Sequence, residues 1–137
     1  MTAFATAVRI ARPIETVYAY LADPLNFPRW NSAVEAVWQT GSTYAMERVL
    51  PGGRARNGLE IFTRTHPTEF GIRTTSGATP FTYRYRLAAE NAETVVRLDA
   101  EVEIEGAPGL AGPLVARAVK RGVDANFAVL KQTLEGP

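Results

Sequence analysis

The chain has 137 residues, 46% of them hydrophobic, and its 15 basic and 14 acidic side chains leave a formal net charge of +1. This length suits one domain with its own core, and the balanced charge argues against nucleic acid or an anionic membrane as a partner. The lack of cysteine excludes disulfides and thiol chemistry, and the chain has neither an apolar run of ~20 residues nor a signal peptide pattern, so we expect a soluble cytoplasmic protein without stable membrane insertion.

The first third of the chain predicts one strand followed by two short helices. Residues 4–10 alternate with the period of two that is typical of a half-buried strand. Pro13 suits the first turn of a helix, where its missing N–H has no partner to lose. Asp23-Pro24 ends that helix, and Pro28 limits the next helical piece, which ends at Trp30, to about one turn.

Six further segments with strand-like alternation fill the middle of the chain. They cover residues 33–39, 44–50, 59–65, 70–76, 81–87 and 96–104. In the last two segments the polar residues share one face, so one side of the predicted sheet is in water and the other is covered. For the third to fifth strands, a period of two does not indicate which face is covered, and both assignments stay open.

Residues 113–134 predict one long amphipathic helix, separated from the last strand by residues 106–109. Its apolar stripe consists of Val115, Val119, Val123, Phe127, Leu130 and Leu134. Gly122 and Asn126 interrupt that stripe. A sheet of seven antiparallel strands bends around what covers it, and we expect this helix to be the cover.

Ten residues of the first third, followed by Asn31, carry a resemblance to a known superfamily. They are Ile10, Pro13, Val17, Tyr18, Leu21, Asp23, Pro24, Phe27, Pro28 and Trp30. With the order of elements over the whole chain, they resemble the START-like superfamily, also called SRPBCC or helix-grip, in its bacterial polyketide cyclase/dehydrase and lipid-transport branch. The resemblance implies an α+β fold in which a seven-stranded curved antiparallel sheet wraps around a long C-terminal helix, with two short helices between strands 1 and 2. It also implies that residues 1–137 form a single START-like domain.

The resemblance further implies a ligand cavity between the sheet and the last helix. We expect it to bind a hydrophobic or amphipathic small molecule of lipid, polyketide or aromatic type. The alternative is a polyketide cyclase or aromatase acting on a carbonyl-rich substrate in the same cavity, and whether a reaction occurs is left open. We expect no cofactor, no metal, no nucleic acid partner, and a monomer or a homodimer.

Nine residues are predicted to contact the ligand, and no catalytic residue is assigned. They are Trp38, Met46, Arg48, Tyr83, Tyr85, Val119, Gly122, Asn126 and Leu130. Asn126 either hydrogen-bonds a ligand or pairs with a strand backbone or the turn near the second short helix, because an unpaired buried amide costs about 1–3 kcal/mol. Gly122 either keeps space open or allows close packing of helix and sheet.

The polar and aromatic candidates on the strands also have two interpretations. Arg48 either enters the cavity, where it would orient a carboxylate or phenolate, or lies on the surface. Tyr83 and Tyr85 are either ligand contacts or general acids, or they are core aromatics with hydroxyls at the rim. Trp38 is expected at the cavity or its entrance, whereas Trp30 is expected to pack the second short helix onto the sheet.

Overall fold

The computed structural model describes residues 2–50, 53–103 and 112–136, without the side chains of Leu50 and Val115. The strands are β1 Thr2–Ile10, β2 Val34–Thr40, β3 Thr43–Leu50, β4 Gly53–Thr65, β5 Glu69–Ser76, β6 Phe81–Glu90 and β7 Glu93–Val102. The helices are α1 Ile14–Leu21, α2 Phe27–Trp30, preceded by a 3-10 turn at Pro24–Asn26, and α3 Gly112–Glu135. The predicted linker at residues 106–109 and the end of the last predicted strand lie outside the described residues.

The strands form one antiparallel sheet in the order β1-β7-β6-β5-β4-β3-β2. Every neighbouring pair is antiparallel. Strands β1 and β2 are the two edges of the sheet, although they are consecutive strands in the chain. The two short helices connect these edges, and α3 lies along β1 and reaches α2. This arrangement confirms the predicted α+β helix-grip fold.

Strand β4 begins at Gly53, six residues before the predicted start at residue 59. The alternation that buries Leu59 continues backwards to Asn57, and both residues have no exposed surface. The amide of Asn57 is satisfied there, since its Nδ2 donates to the carbonyl oxygens of Ser76 and Ala78 at 3.0 and 2.9 Å. A buried polar side chain is tolerated in a strand when it is hydrogen-bonded in this way.

A register shift in β2 changes which of its side chains face α3. The pairing with β3 shifts between Val34 and Ala36, and Val37 then lies opposite the buried Met46. Because side chains alternate along a strand, one extra residue moves all later side chains to the other face. Trp38 therefore shares the outer face of the sheet, where Arg56 covers its ring at 5.0 Å.

The described polar contacts between α3 and the rest of the chain all involve Asp124 or residues after it. The N-terminal segment supplies most of their partners. They join Thr6 Oγ1 to Asp124, the Arg9 carbonyl to Lys131, the Ala11 N–H to the Glu135 carboxylate, the Arg12 guanidinium to the Glu135 carbonyl, and Asn31 and Ser32 to Asn126. Both hydrogen bonds and apolar packing therefore hold the C-terminal half of α3. No helix in the described ranges has the length and hydropathy that crossing a bilayer requires.

Candidate ligand cavity

A partly enclosed cavity of about 570 Å³ lies between the concave face of the sheet and the middle of α3, from Ala118 to Asn126. Ligand cavities in proteins commonly measure about 300–1,000 Å³ and have apolar and aromatic walls. The apolar walls here are formed by Phe27, Trp30, Ala33, Val34, Met46, Val49, Ile72, Phe81, Tyr83, Tyr85, Val102, Ala118, Val119 and Val123. The remaining lining residues are Asn31, Ser32, Arg48, Thr79, Gly122 and Asn126.

The exposed members of this lining mark where the cavity meets solvent. Ser32 follows α2, Val49 is near the end of β3, and Ala118 and Gly122 are on α3, and all four are exposed. The opening therefore lies between α3 and the edge of the sheet formed by β2 and β3.

The structure places seven of the nine predicted ligand-contacting residues around this cavity. They are Met46, Arg48, Tyr83, Tyr85, Val119, Gly122 and Asn126. Two of them, Met46 and Arg48, come from β3, a strand whose covered face the sequence left open.

The other two predicted residues lie elsewhere. Trp38 is on the outer face of the sheet, since the shift in β2 reverses the alternation on which its prediction rested. Leu130 has no exposed surface and is part of the core, one helical turn beyond Asn126. The rings of Trp30 and Phe127, stacked at 6.5 Å, stand at this end of the cavity.

Gly122 borders open space at the opening of the cavity. A Cβ built on Gly122 would have no atom within 4 Å outside its own helix backbone. The alternative, that glycine allows helix and sheet to touch closely, therefore does not apply. The helix carries a residue that destabilises it by about 1 kcal/mol relative to alanine, and the space beside that residue is part of the cavity.

Asn126 uses its amide inside the protein. Its Oδ1 accepts from the Ser32 N–H at 3.1 Å and from the Ser32 hydroxyl at 3.3 Å, and its Nδ2 donates to Asn31 Oδ1 at 3.1 Å. This is the alternative in which the amide pairs with the turn after the second short helix. Asn126 fixes that turn against α3 and is 9% exposed at the cavity wall.

Arg48 is on the covered face of β3 and lines the cavity. Its Nε donates to Asn57 Oδ1 at 2.9 Å, and its Nη2 lies 2.9 Å from the Ala78 carbonyl and 2.8 Å from Thr79 Oγ1. The guanidinium carbon also lies 5.2 Å from the centroid of the Phe81 ring, within the range of a cation–π contact. Burial lowers the pKa of Arg48, and the nearby Tyr83 acts in the opposite direction.

Tyr83 and Tyr85 stand side by side on the covered face of β6. Their rings meet edge to face at 6.3 Å, and Tyr85 also stacks on Phe70. Burial raises the pKa of Tyr83 to about 12 despite the nearby charge of Arg48, and burial raises the pKa of Tyr85 further above its usual value. Both hydroxyls are therefore neutral donors at physiological pH, and no described residue accepts a hydrogen bond from either.

Sequence reasoning missed Asn57 and the cavity role of Trp30. Extending the alternation of β4 back from Leu59 would have put Asn57 on the covered face. Trp30 was expected to pack the second short helix onto the sheet. Its ring also stacks on Phe127 of α3 and lines the cavity, and its buried indole N–H has no hydrogen-bond partner among the described residues.

The described lining contains no aspartate, glutamate, histidine, lysine or cysteine. Arg48 is its one charged side chain. Across the ranges that the structure describes, no three histidine, cysteine or acidic side chains are grouped as a metal site would need.

Solved structures of other proteins share this fold. A START superfamily protein from Mycobacterium smegmatis superposes with a TM-score of 0.84 at 16% identity, covering 98% of each chain. A conserved protein from Geobacillus kaustophilus has a TM-score of 0.82 at 12% identity, covering 96% of this chain and 94% of its own. The di-domain ARO/CYC protein StfQ from the steffimycin biosynthetic pathway has a TM-score of 0.70 at 14% identity, covering 95% of this chain and 49% of its own. At these identities the likeness shows the fold alone.

The sequence itself supplies the family. No curated protein matches it. The family described as polyketide cyclase/dehydrase and lipid transport, however, matches residues 1–135. The chain therefore belongs to the polyketide cyclase/dehydrase and lipid transport family of START-like proteins.

Proposed function

We propose that the protein binds a hydrophobic or amphipathic small molecule, of lipid, polyketide or aromatic type, in the cavity between the sheet and α3. The observation that carries this proposal is the cavity of about 570 Å³ with walls formed mainly by apolar and aromatic side chains. An apolar molecule that leaves water for such walls gains roughly 25 cal/mol for each Å² of buried apolar surface.

Gly122 supports the same proposal from the side of α3. The empty volume beside it is directly accessible from the opening, since Gly122 is exposed and lines the cavity. A larger residue would strengthen the helix and reduce the cavity, so the glycine is unfavourable for stability and favourable for a bound molecule.

Binding is favoured over the alternative of a cyclase or aromatase. The shared fold of StfQ, a di-domain ARO/CYC protein, is the observation in favour of that alternative. Cyclisation of a poly-ketone requires a group that removes a proton near neutral pH. Among the described lining residues the titratable groups are Arg48, Tyr83 and Tyr85, and with a pKa of about 12 Tyr83 holds its proton. These groups can polarise a carbonyl, but they do not supply a base.

The proposal is tested with a neutral fluorescent probe, the methyl ester of 11-(dansylamino)undecanoic acid, titrated into wild-type protein and Gly122→Leu. We expect saturable binding to the wild type and at least about a tenfold weaker binding to Gly122→Leu, because the leucine side chain occupies the cavity. Ala125→Leu is the matched control, since Ala125 is exposed on the same helix and does not line the cavity. Equal binding to wild type and Gly122→Leu, or no saturable binding to the wild type, would contradict the proposal.

A further inference from the structure

Resting on the proposed function, we infer that the ligand carries an acidic oxygen group, a carboxylate or an enolate, which Arg48 and Tyr83 bind inside the cavity. The apolar walls of the cavity select for an apolar ligand but do not define its polar group, whereas Arg48 and Tyr83 favour an acidic one.

Hydrogen bonds on one side of the guanidinium orient Arg48. Asn57, itself completely buried, accepts from Nε, and the turn at Ala78 and Thr79 accepts from Nη2. These bonds use one edge of the guanidinium and fix its plane, whereas Nη1 has no hydrogen-bond partner among the described residues. An arginine oriented in this way retains two N–H donors for a ligand.

Arg48 has no counter-charge among the described residues. In the described part of the chain, the outer-face arginines at positions 54, 56, 73, 84 and 86 each pair with a glutamate or aspartate, whereas Arg97 has no ion pair there but is exposed to solvent. Among the described residues Arg48 forms no such ion pair, and its hydrogen-bond partners there are all neutral oxygens. A partly desolvated cation without an anion is unfavourable, and an acidic ligand would provide the anion that the described residues lack.

Tyr83 stands next to the aromatic ring that Arg48 covers. It lies on β6 next to Phe81, with ring centroids 4.7 Å apart, and Phe81 is the ring that the Arg48 guanidinium covers. Its hydroxyl stays protonated and has no acceptor among the described residues. A neutral hydroxyl and a guanidinium close together in an apolar cavity form a donor set that suits an oxyanion, because charge-assisted hydrogen bonds are strong where water is excluded.

A purely structural role for Arg48 explains part of this arrangement. The bonds to Asn57 and to the turn at Ala78 and Thr79 connect β3, β4 and the loop before β6. They do not explain why a charged side chain without a carboxylate partner among the described residues lines an apolar cavity. A structural role also predicts that ligands of different charge bind equally well, and this difference can be measured.

The test compares 11-(dansylamino)undecanoic acid with its neutral methyl ester, using fluorescence titration of wild type, Arg48→Gln and Arg97→Gln. Arg97 is exposed on the outer face of β7, so its substitution removes the same charge far from the cavity. We expect the wild type and Arg97→Gln to bind the acid about 10- to 100-fold more tightly than the ester, the range expected for charge-assisted hydrogen bonds. Arg48→Gln should bind the two probes within about twofold of each other while retaining ester affinity.

The outcomes separate this inference from the proposed function. Ester binding to the wild type that equals acid binding would overturn the inference and leave the proposed function intact. The same preference for acid in wild type and Arg48→Gln would also overturn it, since another group would then recognise the acid. If Arg48→Gln does not fold, Tyr83→Phe is measured instead, and it should reduce the preference by about threefold to tenfold. No binding of either probe would contradict the proposed function itself.

Discussion

The two ends of the concave face differ although the same strands and the same helix form both. At one end, Phe70 and Leu98 on the sheet and Leu130 on α3 are almost completely buried in continuous contact. At the other end, Ile72 and Tyr83 face Ala118 and Gly122 across the cavity. The packed end carries large side chains on α3, whereas the hollow end carries small ones.

This difference indicates that the side chains of α3, rather than the curvature of the sheet, determine where the cavity lies. A protein interior normally fills its volume nearly as densely as an organic crystal. Along α3 the inward side chains change from leucine and phenylalanine at the packed end to valine, alanine and glycine at the hollow end. The unfilled volume is therefore specified by a few helical positions.

Removal of the Leu130 side chain should have the largest effect on stability. Leu130→Ala leaves a void in the packed end and should lower the free energy of unfolding by about 2–5 kcal/mol. Val119→Ala removes atoms that already border empty space and should cost about 1 kcal/mol or less. Urea unfolding of both variants measures the difference, and equal losses would mean that the two ends do not differ in packing.

The pH dependence of the free energy of unfolding should show whether Tyr83, at the hollow end, is shielded from water. Tyr83 has a folded-state pKa of about 12, above its usual value of 10.0. The unfolded chain therefore loses this proton first, and stability falls as pH rises from about 10 to about 12. Tyr83→Phe should lose about 2 kcal/mol less than the wild type over this interval. Urea unfolding at about pH 9 and about pH 11.5 measures the two slopes, and identical slopes would indicate that Tyr83 is solvated.

A single methyl group at Gly122 should give the smallest effect, in the stabilising direction. Gly122→Ala adds a Cβ that meets no atom within 4 Å, so the gain in helix propensity of about 1 kcal/mol is not offset by a clash. Ala128→Gly, at an exposed position of the same helix, should lower stability by a similar amount. Thermal unfolding gives both values, and a loss of stability in Gly122→Ala would show that the space beside it is not open.

The fold and the hollow end were largely predictable, because both depend on periodicity along single elements. Alternation placed the strands, and the interruption of the α3 stripe at Gly122 and Asn126 indicated part of the cavity wall. Tyr83 and Met46 line the cavity as predicted, while the ligand contacts themselves stay predictions.

The errors arose where periodicity is broken or ambiguous. Trp38 was assigned to the cavity because a shift in β2 cannot be detected from alternating residue types. Arg48 had two open assignments, since a period of two defines faces without saying which one α3 covers. Asn57 was missed because β4 begins six residues earlier than its apolar pattern does. The boundary between the packed end and the cavity, near Asn126, is formed by the stacked rings of Trp30 and Phe127. These two residues are far apart in the sequence and meet only in the folded protein.

The described polar contacts of α3 with the rest of the chain are confined to its C-terminal half, and this distribution has a kinetic consequence. These contacts begin at Asp124, so an opening of the first turns of α3 would break none of them. Such partial opening requires less free energy than global unfolding. For the proposed ligand we therefore expect entry and exit through a local fluctuation of the helix, at a rate that need not follow the stability of the whole domain.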